Sequence, residues 1–466
     1  MEVDGKGRPC QQDGNSPDSQ ILGYSGPNLP EDIWCYIHSL MPMRDAAQVA
    51  CVARAFFCSW RCHPNLDFSR ETLRIDRILK NHSGIGVKAF KFHVPSVYNG
   101  DSAHLDHLDS WLQIAVKPGL NELRLILTTD GKYNFPCSLL SGETGDPLRY
   151  LSLACCHFHP TVKLGCFRSL TKLQLSVVHI TASELGWFLS NSFALEQLKL
   201  WYRNDIDCLK IPCLQRLSYL EVVCCTGLQA IESKAPNLSS VWVTGDLHIQ
   251  LSLENTCRIK ILNRHCSNFT FYARTNLPSI MPNLEALSIR SDIGMVNTPM
   301  VSSKFLHLRL LKIAVGGLTF DFLSLASFLD ASPSLETFIL EVIREFKECV
   351  SVFEDQSDLR MMPGHHPSKL KHVKIIKFSA AKSVAELTCH ILESATSLES
   401  LTLDTTHGMP RCSVNRIGKC VFLLKEALVE AQKGVLAAQA FIKPKVPSTV
   451  EFNVFEPCSR CYAVEL

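Results

Sequence analysis

At 466 residues, 46% of them hydrophobic, the chain is long enough for several domains or one extended array with a sizeable core. Forty-seven basic residues against 45 acidic ones leave a formal charge of +2, which gives no overall nucleic-acid or membrane-surface signature. No run of about 18 uninterrupted apolar residues is present to span a bilayer, and the polar start has no apolar stretch of signal-peptide type, so the 21 cysteines are expected as reduced, buried hydrophobes of a cytoplasmic or nuclear protein.

Residues 1–27 are rich in Gly, Asp, Gln, Ser and Pro without periodicity and read as a disordered tail. Residues 28–68 change character. Leu29, Ile33, Ile37 and Leu40 follow helical spacing, Pro30 suits a first helical position, and Glu31 and Asp32 favour the positive end of the helix dipole. Met41-Pro42 stops this helix, and a second pattern runs through Ala46, Val49, Ala50, Ala53, Phe57 and Trp60. Two or three short helices bury too little surface for secure independence, so the module should dock on a partner, on the rest of the chain, or on both.

Leu29-Pro30-Glu31-Asp32-Ile33, then Leu40-Met41-Pro42-Met43-Arg44-Asp45-Ala46-Ala47, then Val52 and Trp60, resemble an F-box. The resemblance implies a three-helix module that binds the Skp-type adaptor of a cullin-based (SCF) ubiquitin ligase. By position, Leu29, Pro30, Ile33, Ile37, Leu40, Pro42, Ala46, Val49 and Val52 would face the adaptor or support the face that does. Cys51 and Phe56 stand where the family often has Ser and Trp.

Residues 69–118 are mixed, with Phe90-Lys91-Phe92-His93-Val94 alternating like a strand, and read as the lead-in cap of an array. From 119 to 410 one unit recurs. Its clearest copy is Ser397-Leu398-Glu399-Ser400-Leu401-Thr402-Leu403, a Leu-x-x-Leu-x-Leu pattern. The leading apolar residue returns at Leu120, Leu148, Leu170, Leu195, Leu217, Leu238, Ile259, Leu284, Leu308, Leu335, Leu370 and Leu398. Steps run from about 21 to 28 residues, with one near 35, as in a leucine-rich repeat. Two copies extend to the Asn/Cys position of such repeats, at Cys156 and Cys225, while the copy at Ile259 puts Arg264 on a core position. The expected fold is an α/β solenoid: an N-terminal three-helix module, then a horseshoe of parallel strands. Residues 366–406 read strand–helix–strand, with Leu387, His390 and Ile391 on one helical face. They resemble the FBD-type C-terminal region of plant F-box/leucine-rich-repeat proteins.

In residues 411–466, Val421, Leu424, Leu428, Ala431, Val435, Ala438 and Ile442 form one apolar helical seam, interrupted at Gly434. A capping helix on the last repeat is favoured over a coiled-coil dimer, so the chain is expected to be monomeric apart from its complex. Pro444 and Pro447 end the helix, and a short closing strand with a tail follows.

Catalytic chemistry is not legible. There is no Gly-x-Ser-x-Gly elbow or His-Glu-x-x-His helix, and Gly5-Lys6-Gly7 lacks a phosphate loop's spacing. Cys458 and Cys461 have metal spacing only once, and tetrahedral zinc needs four ligands. Cys51, Cys58, Cys62 and His63 are already accounted for by the helical module, and His365-His366 sits in a Pro- and Gly-containing loop. No metal or cofactor is therefore expected, and the chain reads as non-catalytic. The residues between core leucines say more, because alternation sends them to the open concave face. Among them Trp201, Tyr219 and Trp242 come from successive repeats, with Lys199 and Glu221 beside them, and together with Tyr150 on the same face read as a protein-binding surface. The leading functional expectation is a substrate-recognition subunit of an SCF-type ligase, holding a protein target near chemistry supplied by others. The alternatives are a repeat scaffold outside any ligase and a ligand-sensing F-box receptor.

Overall fold

The computed structural model describes residues 29–51, 59–69, 75–82, 86–93, 103–127, 133–161, 164–202, 206–245, 249–291, 303–316, 320–343, 350–354, 358–362, 367–406, 420 and 423–458. The expected tail at 1–27, and Val52, Ala53, Phe56, Phe57, Cys58, His365, His366, Val421 and Cys461, lie outside them.

A strand with apolar residues at alternate positions has one face that water opposes, and only an identical neighbour in register can cover it. That is the arrangement found. Fifteen described strands pair in parallel into one sheet, from Asn65–Phe68 through one strand per repeat to Glu451–Phe455. The register keeps like positions together: Leu151, Leu173, Leu198, Leu220 and Val241 are successive partners. All the leading residues from Leu120 to Leu398 are buried, as are Leu151, Leu173, Leu198, Leu220, Leu287, Leu311 and Leu401. Each such leucine contributes about 1.5–3 kcal/mol by leaving water. The sheet starts earlier than the repeat count implied. Asn65–Phe68 falls within the expected F-box range, and Ala89–His93 within the expected cap, both in register with the next strand.

The backbone follows the same period. The carbonyl before each strand accepts two N–H groups of the next repeat: Glu196 O from Ser218 and Tyr219 at 3.0 and 3.1 Å, Lys371 O from Glu399 and Ser400 at 2.8 and 3.0 Å. Just after the strand, Cys155, Val177, Tyr202, Cys224 and Lys377 take left-handed conformations, with φ between 51° and 58°. This turn sends the chain off the sheet into the interior, where Cys156 and Cys225 are buried. For a β-branched residue such as Val177 it costs about 1–2 kcal/mol.

Repeat length decides what backs the sheet. Longer repeats return through helices, such as Ala182–Ser190, whose start carries a Thr181/Glu184 capping box, and Lys382–Ser394. Between Leu195 and Ile259 the steps shorten to about 21 residues, too few for a helix and its turns. Here the return segments are the strands Cys208–Ile211, Ala230–Ser233 and Gln250–Leu253, which form a second parallel sheet. The cavity between the two sheets, lined by Leu200, Ile206, Leu209, Val222, Cys225 and Leu228, is about 10 Å³, room for about one water.

Arg264 occupies a core position between Val243 and Ile289, where the strand-backed region gives way to the helix Phe269–Thr275. Its guanidinium donates to Ile249 O at 3.0 Å and lies 5.7 Å from the Phe269 ring centroid. Burial holds its pKa down. In the FBD-like region, Leu387, His390 and Ile391 are buried as their spacing implies. Glu386 on the same helix is fully buried and accepts from Arg360 Nε at 3.0 Å and Nη2 at 2.6 Å. The guanidinium also reaches Asp321 at 3.0 and 3.1 Å, so one arginine ties three segments together. These carboxylates raise the arginine's pKa.

The capping helix is Lys425–Ala437, extended by a wider turn at Ala438–Ile442. Leu428, Ala431, Ala438 and Ile442 are buried, but Leu424 is exposed and stands outside the seam. Gly434 does not break the helix: a Cβ there would come within 2.6 Å of Phe378 O, so its bareness lets the helix lie against the repeat. The strand Glu451–Phe455 then closes the sheet.

At the other end, the helices Glu31–Ser39 and Met43–Ala50 lead to a helical turn at 59–61. Met43 joins the main core. His63 Nδ1 accepts from Asn65 N at 3.2 Å while Nε2 faces Met41 O at 3.3 Å, an arrangement a neutral ring satisfies. His82 Nε2 lies 2.9 Å from His63 O, and Asn65 Nδ2 donates to Ser39 O at 3.4 Å. His38, His63 and His82 are all buried. Burial is the largest cause that lowers each of their pKa values from the ordinary 6.5. The unfolded chain takes up protons below pH 6.5 where the folded one resists, so this stability is present above 6.5 and lost as pH falls below it. The denaturation midpoint of the whole chain should drop between about pH 7 and about pH 5.5, and His82→Gln should flatten that dependence. An unchanged slope in the variant would show that these rings do not titrate on unfolding.

Candidate functional site

Two surfaces carry the residues singled out in the sequence. The first is the outer face of Glu31–Ser39. Ile33 is 41% exposed, Tyr36 64% and Leu40 69%, one apolar stripe at helical spacing. Pro30 and Pro42 are exposed beside it, and Leu29, Ile37 and Val49 are half-buried. Ala46 is wholly buried and so supports this face from behind instead of presenting itself. Tyr36, three after Ile33 and four before Leu40, shares their stripe, a placement that its helical spacing carries although the F-box-like motif does not include it.

The second is the concave face. In-register pairing sets out its central row, in which Lys199, Glu221, Trp242 and Asn263 stand side by side on successive strands. Tyr219 lies two residues before Glu221 on its strand, and Trp201 ends the neighbouring one. Glu221 is the organiser. Its Oε1 accepts the Trp201 indole N–H at 2.9 Å, and its Oε2 accepts the Tyr219 hydroxyl at 2.6 Å and lies 2.9 Å from Lys199 Nζ. The ammonium also sits 5.3 Å from the Tyr219 ring centroid and 5.9 Å from that of Trp201. Burial, then the bond to Glu221, raises the Tyr219 pKa, so the phenol stays protonated as the donor.

Alternation places Glu221 on the open face, yet it is 8% exposed, covered by the side chains it binds. A carboxylate with three donors is satisfied internally and is no ligand-binding group. It holds two half-buried aromatic rings and a lysine rigid, while Trp242 projects beside them, 40% exposed. Tyr150 stands apart, two strands from Lys199, where its hydroxyl donates to Gln174 Oε1 at 3.0 Å and its ring carries the Arg124 guanidinium at 4.5 Å. Among the described residues no group of three or more His, Cys, Asp or Glu side chains could hold a metal ion, and no helix is long and apolar enough to cross a membrane.

With this geometry in view, residues 78–459 match the model of the At1g61320/AtMIF1 leucine-rich-repeat domain. The chain belongs to this leucine-rich-repeat family. Its relatives in Arabidopsis thaliana include the F-box/FBD/LRR-repeat protein At3g26920, 22% identical over 84% of this chain and 92% of that one. The putative FBD-associated F-box protein At5g53635 is 24% identical over 81% and 94%, and the F-box/LRR-repeat protein At4g14096 is 20% identical over 81% and 86%. Among solved structures, an internalin from Listeria monocytogenes is 13% identical, with a TM-score of 0.31 over 64% of this chain and 70% of that one. At that score the likeness carries no weight beside the strand register. The family match and these relatives support a plant F-box/leucine-rich-repeat protein with FBD-like features.

In this repeat protein the two tryptophans should respond differently to truncation. Trp201→Ala removes a donor from a buried carboxylate and should cost about 2 kcal/mol of folding stability. Trp242→Ala should stay within about 0.5 kcal/mol. Denaturant unfolding of both variants checks this, and equal losses would mean that Trp242 is also part of the core.

Proposed function

We propose that the chain is the substrate-recognition subunit of an SCF-type ubiquitin ligase, working in the cytoplasm or nucleus. The N-terminal helices hold a Skp-type adaptor, and through it a cullin, and the concave face holds a protein target. The chain catalyses nothing itself: it raises the target's local concentration near a conjugating enzyme that others supply.

One observation carries this reading. The stripe of Ile33, Tyr36 and Leu40 is apolar and exposed on a module that resembles an F-box, and another side of that module is committed to the array through Met43 and His63. A module that packs its second helix on the core and leaves an apolar stripe of its first helix in water is built for a partner. The names of the relatives, F-box proteins by description, agree with it. On the concave side, the Trp201–Tyr219–Glu221–Lys199 cluster supports target binding because rigid, pre-bonded aromatic side chains lose little freedom when covered.

The adaptor half is tested by co-purification. Replacing Ile33 and Ile37 together by Asp would bury two unpaired carboxylates at the interface, each costing several kcal/mol (about 2–7 by analogy with uncompensated polar groups), and binding should be lost. Adaptor recovered at wild-type yield from a folded double variant would remove this surface from the account.

A further inference from the structure

The concave face divides by how its cations are neutralised. Toward the N-terminal end every central-row cation has an internal partner. Lys91 lies 3.3 Å from Glu122, Arg124 is paired with the same carboxylate, and Lys199 is held by Glu221. Toward the C-terminal end the central row runs Trp242, Asn263, Ser288, Lys312, Ile339, Lys374. Lys312 and Lys374 are half-buried, and among the described residues neither has a carboxylate partner. Glu341, the acid on the strand between them, is instead 3.7 Å from Lys377. The half-buried Ile339 separates the two lysines in register.

We propose that this half of the concave face binds an extended acidic segment of the target, with carboxylates at Lys312 and Lys374 and an apolar side chain over Ile339. The inference deepens the target-binding half of the proposed function and rests on it. Half-buried lysines lacking a counter-charge are partly desolvated, which makes an incoming carboxylate worth more to them than to a fully hydrated ammonium. The spacing sets the pattern of the occupant. Two strand separations put the lysines about 10 Å apart, and Trp242 lies about 14 Å from Lys312 along the row. An extended chain covers about 3.3 Å per residue and turns alternate side chains to one face, so acidic residues four positions apart with an apolar one midway present all three side chains to the row, the long Lys and Glu side chains taking up the about 3 Å difference in span. A further apolar residue about four positions beyond reaches Trp242, whose ring is 40% exposed. A phosphorylated segment fits less well. Phosphate is recognised by donors converging on one point, usually with Arg, whereas here two point charges stand either side of an isoleucine.

A display library of random peptides about twelve residues long, panned against the full chain, tests this, since that length exceeds the span of the row. Enriched peptides should carry Asp or Glu flanking an apolar residue. By fluorescence anisotropy, Lys312→Glu with Lys374→Glu should weaken them at least about tenfold. Lys172→Glu, an exposed lysine elsewhere on the same face, should leave them nearly unchanged. A melting temperature like that of the wild type shows that the double variant is folded. Neutral or basic enriched peptides, no enrichment, or affinity indifferent to the double reversal would each overturn the proposal. So would tight binding of serine-phosphorylated versions that the carboxylate peptides cannot match. Loss of the same peptides on Trp242→Ala but not on lysine reversal would leave the target surface standing while removing the acidic-segment assignment. Adaptor co-purification reads the ligase assembly separately.

Discussion

No strand of this chain can bury its own apolar face, and the rest of the structure follows from that constraint. Each strand turns its alternate apolar side chains to one face, and only a neighbour in register makes them dry. The doubled backbone hydrogen bonds before the strands fix that register, and left-handed residues turn the chain inward after five of them. Once it is fixed, alternate residues form rows along the concave face that no local preference would bring together. Lys199, Glu221 and Trp242 are neighbours for this reason alone.

The same constraint explains the ends of the array. A terminal strand has an uncovered face: a helical module meets it at the N-terminal end, while at the C-terminal end the half-exposed strand Glu451–Phe455 is last. At the C-terminal end the helix Lys425–Ala437 closes on the FBD-like repeat through the bare backbone of Gly434. At the N-terminal end the short helical module leans on the first strand through Met43, the His63 ring on Asn65 N and the Asn65–Ser39 hydrogen bond. Its inner face is thereby occupied, which is why the apolar stripe left outside points to a second partner. The Arg360–Glu386–Asp321 group plays a similar part inside the array, where a buried carboxylate is tolerable because one guanidinium meets it with two bonds.

Much of this was legible in the residues. The period of the Leu-x-x-Leu-x-Leu unit placed the core positions correctly, and alternation placed Trp201, Tyr219 and Trp242 on the concave face. What escaped depends on contacts between residues distant in sequence. Glu221 looked like a surface acid because alternation says which face a side chain leaves from, not what its neighbours do once there. The second sheet left only a trace, the shortened repeats between Leu195 and Ile259, whose length does not accommodate a helix. Gly434 resembled a helix break because propensity cannot see the Phe378 carbonyl waiting beside it. Arg264 looked like a flaw in its repeat, yet it marks the change from strand-backed to helix-backed repeats.

The central claim is that one rigid chain presents two separate surfaces, an adaptor face on the first helix and a target face inside the horseshoe. Hydroxyl-radical footprinting of the full chain with and without a Skp-type adaptor reads both at once, because Tyr36 and Trp242 are exposed reporters on the two surfaces. The account predicts that the adaptor shields Tyr36 and Leu40 and leaves Trp242 as reactive as before. Shielding of Trp242 by the adaptor, or an unshielded Tyr36 in a formed complex, would contradict it.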